Sequence, residues 1–227
     1  APAVSDTDRA LIEKQLFQMP VAEIDRYEWF VGSRNNHQSW FNAAKAVVGL
    51  VLGDEAMLRR ALWGKAGLLW QVEHSVIDGI WYEGSLAYHF YALQAIQHTL
   101  EAADRAGVSF RDHPILPTLW SGPLQLSYPN GQTPVFHDSD PISLAHYQSI
   151  FAWGAAYFND PALAAGSPTG LASTNLARLG LAILRRGAGE NASCLMLDYG
   201  EHGDHHGHPD KLNIALFALG RELLVDP

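Results

Sequence analysis

One cysteine, Cys194, stands in 227 residues. A lone thiol excludes an internal disulfide framework and a thiolate zinc finger. It leaves the compartment open, because many exported bacterial proteins carry no disulfide. Positive charge is also scarce: 15 Lys and Arg against 24 Asp and Glu give a formal net charge of −9. Nucleic-acid binders carry basic surfaces, so this balance argues against DNA or RNA. A polyanionic sugar meets the same repulsion unless a local cluster of positive or polar groups receives it. No apolar run approaches the ~20 residues of a membrane span. No signal peptide is visible. There is no initiator Met: the chain opens at Ala1 and closes at Val225-Asp226-Pro227 inside an apolar, strand-like run. Both ends read as cut, and a piece of a longer protein is expected.

What is present is globular in kind. Hydrophobic residues make up 48% and charged residues 17%. A chain of this size is expected to bury roughly 70% of its unfolded surface. The first two-thirds reads as helix. Residues 42–52 are rich in Ala and apolar residues, with Gly53-Asp54 as a stop. Residues 55–76 place Met57, Leu58, Ala61, Leu62, Leu68, Leu69 and Val72 close to a 3.6 period. A third helix is expected over 85–106, closed by Gly107. Residues 111–141 hold Pro114, Pro117, Pro123, Pro129, Pro134 and Pro141, and read as a long irregular segment of the kind that is usually functional. Further helices are expected over 143–158 and 173–186.

The pattern then changes. Residues 193–199, 212–218 and 222–226 read as strands, the last two joined across Leu219-Gly220-Arg221 as a hairpin. Helices followed by strands suggest two domains. The expected division is a helical portion over 1–188 and the start of a β domain over 193–227, with the change near Gly187-Ala188-Gly189.

Four stretches carry residues with chemistry. G-E-H-G-D-H-H-G-H-P-D-K at 200–211 packs His202, His205, His206 and His208 into seven positions. On a strand, the spacing of His206 and His208 puts both on one face. Imidazole and carboxylate are zinc donors, and Asp226 follows in the hairpin. The competing reading is a polar loop with satisfied histidines. R-N-N-H-Q-S-W at 34–40 precedes a helix. Its amides and His37 suit a carboxylate at a helix N-terminus, or simply cap that helix. In the stretch 78–93, Tyr88 and Tyr91 share a helical face. A tyrosine serves as general acid or base, or packs between helices. Y-P-N-G-Q-T-P-V-F-H-D-S-D at 128–140 lines a cleft or is a capped loop.

Together and in this order, N-N-H at 35–37, D-G-x-W-x-E-G-S-x-x-Y-H-x-Y-A-L at 78–93, P-N-G-Q-x-P-x-x-x-D-S-D at 129–140, and H-G-x-x-H-G-H-P-D-K-L at 202–212 running to G-R-x-L-L-V-D-P at 220–227 resemble the heparinase II/III-like polysaccharide lyases, including alginate lyases. The resemblance covers about residues 30–227. It implies a mainly α chain with a C-terminal β part: a partial (α/α) toroid followed by the first strands of an antiparallel β-sandwich. It implies β-elimination at a uronic acid in an acidic poly- or oligosaccharide, leaving an unsaturated uronate.

Carried over by motif, Asn36 and His37 contact the uronate carboxylate, and His37 serves as base for one substrate epimer. Tyr91 is the catalytic acid/base by its distance from His37, with Tyr88 the alternative. His206 is a carboxylate neutraliser or second base. His208 and Asp226 ligate a structural Zn2+ whose third ligand lies outside this chain. A bacterial periplasmic or secreted location is implied. Asp204 and His205 depart from the small residues often found between the two His-Gly pairs. That added charge weakens the expectation of a heavily sulfated substrate. Two other readings remain at this point: a non-catalytic carbohydrate-binding or structural relic of the same scaffold, and a metal-dependent hydrolase. An unfinished sheet leaves unpaired edges, so the isolated chain is expected to be poorly stable and inactive.

Overall fold

Capping residues set the helix boundaries in the computed structural model, which describes residues 4–164, 172–201, 206–209 and 211–225. Ser5 accepts from the Asp8 N–H and starts α1 (Asp6–Ile12), which runs through a π-helical turn into α2 (Met19–Val31). Asn35 is extended, and its side chain accepts from the His37 N–H to open α3 (Asn36–Leu52). Gly53 closes α3 in the left-handed region, with the Asp54 N–H returning to the Gly49 carbonyl at 2.8 Å. Asp54 in turn caps α4 (Glu55–Trp63) through the Met57 N–H. Then follow α5 (Leu68–Ser75) and a short hairpin of β1 (Val76–Ile77) and β2 (Ile80–Trp81). Its turn residues Asp78 and Gly79 both have positive φ, as a right-twisted two-residue hairpin requires. The long α6 (Leu86–Arg105) is followed by α7 (Leu116–Gln125), α8 (Gln148–Phe158) and α9 (Pro161–Ala164).

The C-terminal part is one antiparallel sheet of five strands in sequence order: β3 (Thr174–Leu176), β4 (Leu181–Arg186), β5 (Ser193–Asp198), β6 (Asn213–Ala218) and β7 (Arg221–Leu224). One face is buried in strict alternation: Leu181 and Ile183, then Cys194, Met196 and Asp198, then Ala215 and Phe217. Arg185 ties the sheet to the segment after α7 by donating to the Gln125 and Ser127 carbonyls at 2.8 and 2.7 Å. Tyr128 stacks on Phe217 and donates its hydroxyl to Glu222 at 2.6 Å.

The chain folds as two compact units. One holds residues 1–74 and 92–110, the other residues 75–91 and 111–227. In the first, Val21, Val48 and Met57 form a small core with Phe17 and Leu52 against it. Beside them lies a polar seam. Lys45 is buried and paired with Glu28 and Asp25, and Gln38 donates to Glu28 at 2.7 Å and to Asn42 at 3.2 Å. Among the described residues, no helix is long and apolar enough to cross a membrane.

The mainly α chain with a C-terminal antiparallel sheet is the expected fold class. Three local expectations fail. The helix read over 55–76 is two helices, because Gly64 and Gly67 break it while the apolar period runs on across the gap. The proline-rich segment contains α7, with Pro117 at its first turn, where no N–H is needed, and Pro123 near its end. Residues 173–186 are β3 and β4, not a helix. Leu, Ala and Arg favour helix locally, but pairing of β4 with β5 over six positions overrides that weak preference. The sheet therefore begins ahead of Gly187-Ala188-Gly189.

The turn between β3 and β4 depends on close backbone approach. Gly180 has φ +82°, and a Cβ there would land on the Gly200 Cα. The Tyr199 N–H donates to the Gly180 carbonyl at 2.8 Å, fastening the two segments. Gly180→Ala is expected to destabilise the protein by about 2–4 kcal/mol, combining a forced positive φ with backbone displacement. Chemical denaturation measures it; an unchanged midpoint and slope would remove this turn from the account.

Candidate functional site

The second unit gathers most of the candidate residues around the start of α6. β2 delivers Trp81, and the three residues after it lead to Ser85. Glu83 is buried, and its carboxylate accepts from the Trp81 indole N–H at 3.0 Å and the Tyr82 hydroxyl at 3.4 Å. Ser85 faces the first turn of α6, where its hydroxyl accepts from the Tyr88 N–H at 3.5 Å; it also donates to the Asp138 carbonyl at 2.9 Å. Gly84 at φ +75° lies against His137: a Cβ would come within 2.8 Å of the imidazole.

Alternate faces of α6 then separate the roles. His89 and Phe90 turn inward. His89 is fully buried, its Nδ1 accepting from the Trp81 N–H at 3.0 Å and its Nε2 donating to the Leu119 carbonyl at 2.9 Å. Both bonds require the neutral Nε2–H tautomer. Burial is the main cause that lowers its pKa, from 6.5 to about 4. Phe90 stacks on Tyr147 at 3.7 Å.

Tyr88 is the residue of this helix that meets the histidine loop. Its ring stacks on His206 with centroids 3.5 Å apart and planes 18° apart. Burial, followed by the charges of Asp138, Glu83 and Asp140, raises the Tyr88 phenol above its ordinary value. Tyr91, one turn on, is 42% exposed.

Two adjacent residues hold the histidine loop. The Asp138 carboxylate lies 2.9 Å from His206 Nδ1, and the Asp138 N–H donates to the His206 carbonyl at 3.1 Å. His137, with φ +58°, accepts at Nδ1 from the His208 N–H at 3.4 Å. Its Nε2 sits 3.3 Å from Asp198, a buried carboxylate at the end of β5 that also lies 3.4 Å from the Lys211 ammonium. His206 and His208 lie in irregular backbone, not on a strand, so shared strand face does not describe them.

Asn36 and His37 belong to the first unit, in the first turn of α3. Asn36 is buried and His37 is exposed, while Asn35 performs the capping. The same helix supplies Gln38, Asn42 and Lys45 to a cleft of about 350 Å³, together with Glu28, Trp29 and Lys65. His202, Asp204, His205 and Asp226 lie outside the described residues. Among the described residues, no three His, Cys, Asp or Glu side chains gather to hold a metal ion. Of the expected zinc ligands in this chain, His208 lies among the described residues and Asp226 does not.

Sequence reasoning did not single out Asp138, His137, Asp198 or Glu83. Asp138 and His137 stood in a motif whose role was open, and their partners lie about 70 residues away in sequence.

The comparisons agree with this architecture. Residues 4–114 match the alginate lyase family model, and residues 168–227 match the heparinase II/III-like C-terminal model. Among solved structures, heparan sulfate lyase HepC from Pedobacter heparinus aligns at 22% identity and a TM-score of 0.68, over 84% of this chain and 32% of that one. A heparinase III gene product aligns at 18% and 0.72, over 86% and 33%. A further heparinase III structure aligns at 18% and 0.67, over 84% and 34%. At these identities the likeness is one of fold, and the chain spans about a third of the length of these structures. Among curated proteins none matches. A helical part followed by an antiparallel sheet, with both family segments in that order, defines the class. The chain thus resembles the alginate lyases in its helical part and the heparinase II/III-like proteins in its C-terminal part.

His89 generates a pH prediction. Its folded pKa of about 4 lies below the unfolded 6.5, so the unfolded chain binds the extra proton in between. Stability is present above pH 6.5 and is lost as pH falls towards 4, by about 3 kcal/mol from this group. Urea unfolding at pH 7 and pH 4 should show a smaller loss in His89→Gln than in the parent. Equal losses would assign the acid sensitivity elsewhere.

Proposed function

We propose that this chain is part of a polysaccharide lyase that cleaves a uronic-acid glycan, alginate-like or glycosaminoglycan-like, by β-elimination. The observation that carries the reading is the stacking of Tyr88 on His206 beside Asp138 at the start of α6. The matches to the alginate lyase and heparinase II/III-like C-terminal models support it, as does the likeness to a heparan sulfate lyase structure.

In the reaction, neutralising the uronate carboxylate acidifies the proton on C5. A base takes that proton, the electron pair forms the C4–C5 double bond, and the C4–O bond breaks. The departing oxygen takes a proton from an acid. Asn36 and His37 contact the carboxylate, with His37 the base for one epimer. His206 is a second base or helps neutralise the carboxylate. Between the two tyrosines, Tyr88 is the acid, because its ring is the one that stacks on His206 beside Asp138. Tyr91 is the comparison residue.

The test is absorbance of the unsaturated product on a panel of alginate, heparan sulfate, hyaluronan and chondroitin. A rise with one polymer is expected. No rise with any would leave a carbohydrate-binding or structural relic. Tyr88→Phe should lower kcat by about 10²-fold or more with an unchanged melting temperature. Tyr91→Phe should stay within a few-fold; the reverse ranking would transfer the acid to Tyr91.

We also propose that His208 and Asp226, with a ligand from beyond this chain, hold a structural Zn2+. An imidazole and a carboxylate are suitable donors. Elemental analysis of the purified complete protein should find about one zinc per chain, and His208→Ala should lose it. Metal-free protein with an unchanged melting temperature in chelator would dismiss the site.

A further inference from the structure

We propose that Asp138 is a positioning residue for His206, holding its imidazole in the Nδ1–H tautomer so that Nε2 is left as the lone-pair atom. This rests on the lyase reading for its consequence, but not for its geometry. Asp138 Oδ2 lies 2.9 Å from His206 Nδ1. A carboxylate in this state has no proton to give, so the ring nitrogen donates. Among the described residues, no protein group is placed on His206 Nε2. The ring cannot swing freely, because Tyr88 covers one face at 3.5 Å.

Two further contacts make the arrangement a clamp rather than a chance surface pair. The Asp138 N–H donates to the His206 carbonyl at 3.1 Å, so backbone and side chain of Asp138 grip the same residue. The Asp138 carbonyl accepts from Ser85 at 2.9 Å, which fastens it to the helix that carries Tyr88. Next door, His137 accepts from the His208 N–H at 3.4 Å and leans on buried Asp198. The loop is therefore held at alternate residues by consecutive ones.

The consequence is a choice between the two roles open to His206. Whenever the ring is uncharged, an Nδ1–H committed to Asp138 puts the lone pair at Nε2. That atom accepts a proton; in this tautomer it has none with which to bind a carboxylate. Asp138 thus assigns His206 to the base side of the reaction. Histidines held by a carboxylate at metal centres ordinarily lose about 10–100-fold in affinity or activity with the partner, and a loss of that order is expected here.

The experiment uses the complete protein and the variants Asp138→Ala and Asp138→Asn. Both leave the Asp138 N–H and carbonyl bonds in place, so the loop stays anchored while the side-chain contact changes. Nitrogen-15 NMR of the labelled histidines at pH 8 reads the tautomer of His206 directly. The parent should show a proton on Nδ1, Asp138→Asn should largely keep it through its amide oxygen, and Asp138→Ala should shift the population towards Nε2–H. On the polymer that gives turnover, Asp138→Ala should lose kcat by about 10–100-fold, with KM within about twofold, and Asp138→Asn should recover part of it. An unchanged tautomer in Asp138→Ala overturns the proposal, whatever happens to kcat. A shifted tautomer with parental kcat overturns the functional half. If the parent turns over no uronate polymer, the lyase reading fails, while the NMR still decides whether Asp138 holds His206.

Discussion

The buried carboxylate of Asp198 ties together several segments of the second unit. Asp198 closes β5 on the core face of the sheet and is 3% exposed. Burying such a charge is costly unless it is paired and hydrogen-bonded. Here His137 and Lys211 approach Oδ2, the Gly200 N–H donates to Oδ1 at 3.0 Å, and the Leu212 N–H donates to the backbone carbonyl at 2.7 Å. Three segments distant in sequence are thereby fixed to one strand end: the 137–138 loop, the turn after β5, and the approach to β6. From His137 the constraint passes to His208, and from its neighbour Asp138 to His206 and Ser85. The start of α6 and the histidine loop are two ends of one polar network.

Tyr88 sits among Asp138, Glu83 and Asp140, whose charges add to burial in raising its phenol above the ordinary value. Three positions of α6 thus meet different surroundings. Tyr88 faces the loop, His89 is locked neutral between the Trp81 N–H and the Leu119 carbonyl, and Tyr91 is 42% exposed. The helix period explains why neighbours in sequence differ so much.

Much of the fold was legible before any coordinates. A capping Asn before α3, the stop at Gly53-Asp54, the strands after residue 192 and the hairpin across Leu219-Gly220 all follow from local chemistry. The candidate site was partly legible too. Motif order pointed to Asn36, His37, the two tyrosines, His206 and His208. It did not say which tyrosine meets His206, because three residues along one helix face differ only in what packs against them. Nor did it reveal Asp138, a short acidic side chain in a turn-rich segment with nothing local to distinguish it from a capping residue. The fate of 173–186 was hidden for a related reason: its Leu, Ala and Arg residues suit either element, and β5 lies outside the window that local preference can see.

The sequence by itself therefore determined the helices-then-strands class, several caps and turns, the acidic balance and the family resemblance. These depend on interactions within a few residues, or on composition. Tertiary structure alone decided that β4 is a strand, that Tyr88 stacks on His206, and that Asp138 and His137 grip alternate residues of the histidine loop. Those outcomes come from contacts between segments up to about 120 residues apart, whose energies are not written in any one of them.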